Sequence, residues 1–217
     1  MASPFFFSPD ENALIKPAVD GTNAVMKACQ LAGVRRCVIT SSCASIFNVA
    51  GADKPANGIF TEAHWSNPDR PEGLDGYSKS KTLAEKAAWD FQAALPVRKR
   101  FEIVTINPGF VMGPPLSKQS GTSMKYMTDL MSGTKTMFPN NMQFPFVDVR
   151  DVARAHLLGI KKPEAANKRY ILCADSPTFW DMFEPVLTKY KQEGWHTITE
   201  EKSTADPMPM KFDNSAS

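Results

Sequence analysis

The chain has 217 residues, of which 42% are hydrophobic and 22% charged, and a formal net charge of +2 at pH 7. That is enough chain for one good-sized domain with a real core, in the ordinary balance of a globular protein. It excludes the dense basic stripe of a nucleic-acid binder; the one basic run, Val97 to Arg100, reads as a solvated turn.

The N-terminal "MASPFFFSPDENALIKP" has a short apolar run, no basic lead-in and early acidic residues, so it makes a poor signal peptide. No apolar stretch approaches the roughly 18 residues a membrane span needs, and a cytoplasmic location is the default expectation. Pro17 to Ala32 reads as a helix with Pro in its first turn, an apolar stripe at Val25, Ala28, Cys29 and Ala32, and Gly33 as its stop. "CVITS" (Cys37 to Ser41) reads as a short buried strand. A long loop, Ser42 to Gly76, follows, and loops of that length are functional or covering. Tyr77 to Leu95 is a second helix, stopped at Pro96. Beyond it come the strand "FEIVTINP" (Phe101 to Pro108), the helix "SMKYMTDLMSG" and the strand "FPFVDV" running into the helix "RDVARAHLLGI". The strand "RYILC" (Arg169 to Cys173) and the helix "FWDMFEPVLTKY" close the series. Glu200 to Ser217 is polar, carries two prolines and reads as a loose tail. Strands alternating with helices predict an α/β fold built on a parallel sheet with helices on both faces.

Cysteine usage adds little. Cys29, Cys37, Cys43 and Cys173 form neither a CxxC pair nor a His/Cys metal spacing, so free thiols are expected and no metal. Cys43 follows two serines but has no basic partner in sequence to activate it as a nucleophile.

The chemistry concentrates in "DGYSKSKTLAEKAAW". Tyr77 and Lys81 are spaced i and i+4, so a helix projects both from one face, one turn apart. A free tyrosine titrates near 10 and is a sluggish acid at neutral pH; a nearby ammonium favours the phenolate. Such a pair can protonate a developing alkoxide or deprotonate an alcohol. Lys79 points elsewhere and reads as solvated. Upstream, "VITSSCAS" ends a strand, where a parallel sheet presents its ligand sites. A hydroxyl there could hold a substrate carbonyl, although Ser41 and Ser42 also fit simple turn chemistry. His64 lies in the long loop and could touch substrate, whereas His156 reads as packed or capping and His196 stands near the tail. Methionines and phenylalanines between Met131 and Phe146 are candidates for an apolar pocket.

Taken in order, "MASPF", "IKPAVDGT", "FTEAHWSNPD", "YSKSKTLAEKAAWDF", "INPGFVMGP", "FVDVRDVARAHLLGI" and "KRYILC" resemble the extended short-chain dehydrogenase/reductases. The resemblance is to the dihydroflavonol-4-reductase-like and aldehyde-reductase branch of the NAD-dependent epimerase/dehydratase superfamily. It implies the C-terminal part of a Rossmann-like doubly wound parallel sheet plus a small substrate-binding region. Residues 1–115 would be the remaining NAD(P)-binding part, 116–199 a substrate lobe interleaved with late Rossmann elements, and 200–217 the tail. It implies that Ser42 orients the carbonyl, Tyr77 donates the proton, and Lys81 lowers the tyrosine pKa and holds the nicotinamide ribose. Pro108, Gly109 and Val111 would lie against the nicotinamide, and Ala2 and Ser3 would pass close to the cofactor. The implied cofactor is NADP, with NAD possible, and the partner a small carbonyl substrate. Asp148 and Asp151 read as structural, opening a helix whose positive end favours acids.

Departures from the family pattern narrow the expectation. Ala18 stands where sugar epimerases carry Asn, so nucleotide-sugar epimerisation falls back. The "NWYCY" segment of cinnamoyl-CoA reductases is missing before Tyr77, which favours a plain aldehyde or ketone over a thioester. No GxxGxxG turn, the usual cradle of a cofactor pyrophosphate, occurs in the sequence. The chain therefore looks like the family with its first βαβαβ half removed and its C-terminus clipped. A non-catalytic binding subunit and a hydroxysteroid-type dehydrogenase are the alternatives.

Overall fold

The computed structural model describes residues 10–47, 55–69, 74–117, 121–134, 141–194, 202–205 and 210–216. Ala2, Ser3 and His196, named above, lie outside the described residues.

Helix α1 (Asn12–Ala32) begins well before Pro17, which sits in its second turn and costs the helix one backbone bond. Gly33 ends it at φ 63°, and the Gly33 and Val34 amides close onto the last carbonyls. The buried face is Leu14, Ala18, Thr22 and Met26 rather than the stripe expected from Val25, Ala28, Cys29 and Ala32. Thr22 counts as core because its hydroxyl donates to the Ala18 carbonyl at 2.7 Å, which hides its polarity. Val25 stays 45% exposed.

The central sheet has three parallel strands in the order β1 (Arg36–Thr40), β3 (Glu102–Pro108) and β6 (Lys168–Leu172). Ile39 faces Thr105, and Thr105 faces Arg169 across the sheet. Helices cover both faces, as the alternation predicts. Residues Ile39 and Ile103 pack with Met26 of α1 and Ala88 of α2 (Gly76–Ala94). The alternate residues Val104, Ile106 and Leu172 pack with Val152 of α4 (Val149–Lys161) on the other face. This is the period-2 geometry of a strand buried on both sides.

A second lobe hangs from the end of β3. Strands β4 (Phe110–Met112) and β5 (Phe146–Asp148) pair in parallel beside α3 (Thr122–Met131) and α5 (Phe179–Gln192). Phe110, Phe144, Phe146, Phe179 and Phe183 pack mostly edge-on, with centroids 5.5–6.4 Å apart. The methionines and phenylalanines expected to line a pocket largely fill this cluster. The polar tail is not loose where it is described. Strand β7 (Lys211–Phe212) pairs with β2 (Ile59–Phe60), Met210 is buried, and Asn214 Nδ2 donates to the Cys173 carbonyl at 2.6 Å. Met210 and Phe212 have apolar surface to bury, and the Phe47–Phe60 cluster receives it.

Candidate active site

The site forms where β1 ends and α2 begins. Ser41 and Ser42 follow β1 directly, and Ser42 opens a 3-10 turn, Cys43–Ser45, by accepting the Ala44 amide on its hydroxyl at 3.1 Å. Asp75 caps α2 by accepting the Ser78 amide at 3.0 Å, which fixes the first turn of the helix and hence Tyr77. Pro108 ends β3 at the same carboxyl edge of the sheet.

The structure brings together Ser42, Tyr77 and Lys81. The Ser42 hydroxyl stands close enough to the Tyr77 phenol to favour its ionised form, and the Lys81 ammonium lies 5.5 Å from the centre of the tyrosine ring. The expected depression of the tyrosine pKa is not realised here. Burial dominates and lifts Tyr77 to about 12, with Cys43 and Asp75 adding to the rise and the Ser42 hydroxyl opposing it. Burial likewise pulls Lys81 below the ordinary lysine range. Lys81 lines a cavity of about 10 Å³ with Thr22, Thr40, Ser41 and Glu85, room for about one water.

The residues expected on the cofactor side, Pro108, Gly109 and Val111, occupy one strip. Gly109 donates its amide to the Leu172 carbonyl at 3.0 Å, and a Cβ added to it would stand 2.3 Å from the Pro145 carbonyl oxygen. That close backbone approach requires glycine. Val111 packs beside Val147 under the same strip. Pro108 follows Asn107, whose amide reaches the Ser42 carbonyl at 3.2 Å.

Other expectations resolve differently. Lys79 is not a solvated bystander: its ammonium pairs with Glu11 at 2.9 Å, tying α2 to the start of α1. His64 is committed to its own turn, accepting the Thr61 amide on Nδ1 at 2.9 Å. His156 Nδ1 lies 2.7 Å from the Val152 carbonyl and Nε2 lies 2.7 Å from Thr40 Oγ1. The carbonyl fixes the proton on Nδ1, so Nε2 accepts the Thr40 hydroxyl, which makes His156 the packed, capping histidine its surroundings in sequence suggest. Asp148 caps α4 through the Arg150 amide at 2.8 Å, and Asp151 sits in the first turn. Cys43 is buried, with its thiol pushed up to about 12 by burial and by Cys173, the reverse of an activated nucleophile.

What sequence reasoning misses is the residue behind the site. Glu85 is 1% exposed, and its carboxylate collects donors from β3, from β6 and from the segment that follows β1. Ser41 and Ser45 Oγ lie 2.5 Å away, Asn107 Nδ2 2.8 Å, Arg169 Nε 2.7 Å and Thr105 Oγ1 3.1 Å. Burial alone would raise its pKa, but the charge and bond of Arg169, with the serine hydroxyls, bring the net shift below the carboxylate range. A signal is present: Thr105 and Asn107 alternate with apolar residues in a strand buried on both faces, so something polar has to meet them.

A parallel sheet with helices on both faces, carrying a neighbouring Ser–Tyr pair and a lysine at its carboxyl edge, defines a Rossmann-type α/β protein of the dehydrogenase/reductase class. Residues 4–198 match the 3-beta hydroxysteroid dehydrogenase/isomerase family, and the chain belongs to it. It is 36% identical over 193 residues to a putative NADPH-dependent methylglyoxal reductase of Candida albicans, covering 81% of this chain and 54% of that protein. It is 33% identical over 216 residues to cinnamoyl-CoA reductase 1 of Petunia hybrida, covering 98% of this chain and 61% of that protein. The chain thus spans about half to two thirds of the length of the curated relatives it matches. Yeast methylglyoxal/isovaleraldehyde reductase, solved in complex with NADPH, superposes with a TM-score of 0.80 at 30% identity, over 99% of this chain and 68% of that one. The likeness supports the branch of the superfamily to which the motifs point.

Proposed function

We propose that this chain carries the carbonyl-reducing site of an NADP-linked oxidoreductase acting on an aldehyde or ketone. The observation that carries the reading is the Ser42 hydroxyl beside the Tyr77 phenol, with the Lys81 ammonium one helical turn away. The named activities of the relatives, methylglyoxal and cinnamoyl-CoA reduction, agree with it.

Ser42 and Tyr77 present two hydroxyls to one carbonyl oxygen. A Tyr77 held near 12 is fully protonated at neutral pH, so the acid form of the donor is always present. As negative charge develops on the substrate oxygen, Tyr77 gives up its proton and Ser42 keeps the oxygen in place. Lys81, a half-buried ammonium with no ion pair among the described residues, then stabilises the tyrosinate left behind. That same ammonium fits a ribose hydroxyl, and the nicotinamide, when bound, supplies the hydride. The placement fits a reducing compartment such as the cytosol, since all four cysteines are free thiols.

The test is loss of NADPH absorbance with methylglyoxal and an aromatic aldehyde as substrates. Turnover by the chain, abolished by Tyr77→Phe, is the expected result. Unchanged turnover in Tyr77→Phe would overturn the assignment of the proton donor. Absence of NADPH binding by calorimetry would turn the reading toward a non-catalytic subunit.

A further inference from the structure

We propose that Glu85 and Arg169 form a charged positioning unit for Ser42, holding the turn Ser42–Phe47 so that the serine hydroxyl meets Tyr77. The role in reduction rests on the function proposed above; the role in holding the turn does not.

Glu85 never touches Ser42. It grips the residues on either side of it. Ser41 Oγ, immediately before Ser42, and Ser45 Oγ, at the end of the turn, both lie 2.5 Å from the same carboxylate oxygen. The third donor to that oxygen, Asn107 Nδ2 at 2.8 Å, also reaches the Ser42 carbonyl at 3.2 Å. The single proton of the Ser45 hydroxyl serves the charged acceptor, so the Ser42 carbonyl is left to Asn107 and to the Ser45 amide at 3.0 Å. Five close donors converge on one carboxyl group, and the Arg169 guanidinium is among them, which favours the anion.

Arg169 supplies the matching charge and is itself immobilised. Its Nη1 donates to the Glu62 and His64 carbonyls at 2.7 Å each, and its guanidinium lies 3.6 Å from the centre of the Trp65 ring. The loop it grips returns to the turn: the Ser66 amide donates to the Ser45 carbonyl at 2.9 Å. The side chains of the pair are 0% and 9% exposed. A buried ion pair is an inefficient way to gain stability, because apolar residues of similar shape do as well or better. What the pair supplies here is direction: apart from the 3.4 Å bond from Trp89 Nε1, its bonds end on the turn and its flanking residue, on the strands beside it or on the loop that covers it.

Glu85→Gln keeps the shape, removes the charge and turns an amide donor toward other donors. Backbone amide exchange of Ala44, Ser45, Ile46 and Phe47, all hydrogen-bonded within the turn, should accelerate at least about tenfold, with α5 unchanged. In NADPH-dependent turnover, kcat should fall about 100-fold, with the KM for NADPH unmoved. The same substitution in a Ser42→Ala background should cost nothing further. Unchanged turn exchange overturns the proposal, as does a kcat loss that persists undiminished when Ser42 is absent. If Glu85→Gln does not fold, the double variant Glu85→Met/Arg169→Met, which fills the space without charge, carries the same readouts and must show the same local loosening. If the unaltered chain has no turnover, the proposed function fails, and the exchange measurement alone decides whether the pair holds the turn.

Discussion

The two faces of the central sheet are built from alternate residues of the same strands and solve different problems. On the α4 face, Val104, Ile106, Val152 and Leu172 make an unbroken apolar layer. On the α2 face the layer starts apolar, with Ile39, Ile103 and Ala88, and turns polar toward the carboxyl edge, where Ser41, Thr105, Asn107 and Arg169 surround Glu85. The buried Glu85 carboxylate stands directly behind the Ser–Tyr–Lys group. One face supplies cohesion without direction; the other supplies direction at an electrostatic cost that the donors gathered on Glu85 offset.

The sharpest way to break that contrast is to orphan the charge. Arg169→Met leaves the Glu85 anion buried without its cation, and urea denaturation should show a loss of about 4 kcal/mol. Adding Glu85→Met should recover most of it, because the cost lies in the unpaired charge. On the apolar face, Ile106→Ala should cost about 3 kcal/mol as lost burial plus cavity. No second substitution should recover that loss by balancing charge. If Ile106→Ala were rescued like Arg169→Met, or Arg169→Met were as irrecoverable as Ile106→Ala, the two faces would not differ in kind.

The polar edge should also show itself at high pH. Burial, its largest cause, raises Tyr77 from 10 to about 12 and Cys37 and Cys43 from 9 to about 12. With the folded pKa above the unfolded one, the unfolded chain loses its proton first as pH rises. The stability tied to these groups is therefore complete below pH 9 and lost between pH 9 and 12. Tyr77→Phe removes one contributor, so its stability should decline by about 2 kcal/mol less than that of the unaltered chain between pH 10 and 12. Parallel declines in the two proteins would show that the phenol is not held protonated.

How much of the fold and the site is legible in the sequence depends on the range of each signal. The strand–helix alternation and the Gly33 stop depend on local periodicity and backbone conformation, and both are readable. The buried face of α1 escapes the hydropathy pattern because Thr22 hides its hydroxyl in its own helix, a bond no such pattern displays. Tyr77 and Lys81 stand out because helix spacing alone puts them together. Glu85 stands on the same helix but is passed over, since its partners Ser41, Thr105, Asn107 and Arg169 come from three segments far apart in sequence. The docking of Met210 and Phe212 is hidden for the same reason: their burial depends on Phe47 and Phe60, not on their polar neighbours.

Helix α2 offers one last contrast, between two ion pairs on a single element. Glu85–Arg169 is sealed from water, whereas the Lys79 and Glu11 side chains remain 28% and 45% exposed at a separation of 2.9 Å. Solvent screens the second pair, and two flexible side chains lose rotamer freedom to form it. Lys79→Ala should therefore cost only about 0.5 kcal/mol, and added salt should shrink even that. The reason is that neither charge becomes stranded when the other is removed; water takes the partner's place. A cycle with Glu11→Ala reads the coupling directly, free of the packing lost with the lysine stem. A coupling as large as that of the buried pair would mean that α1 and α2 exclude water at their junction, and that the polar hub extends to the start of α1 instead of ending at the sheet.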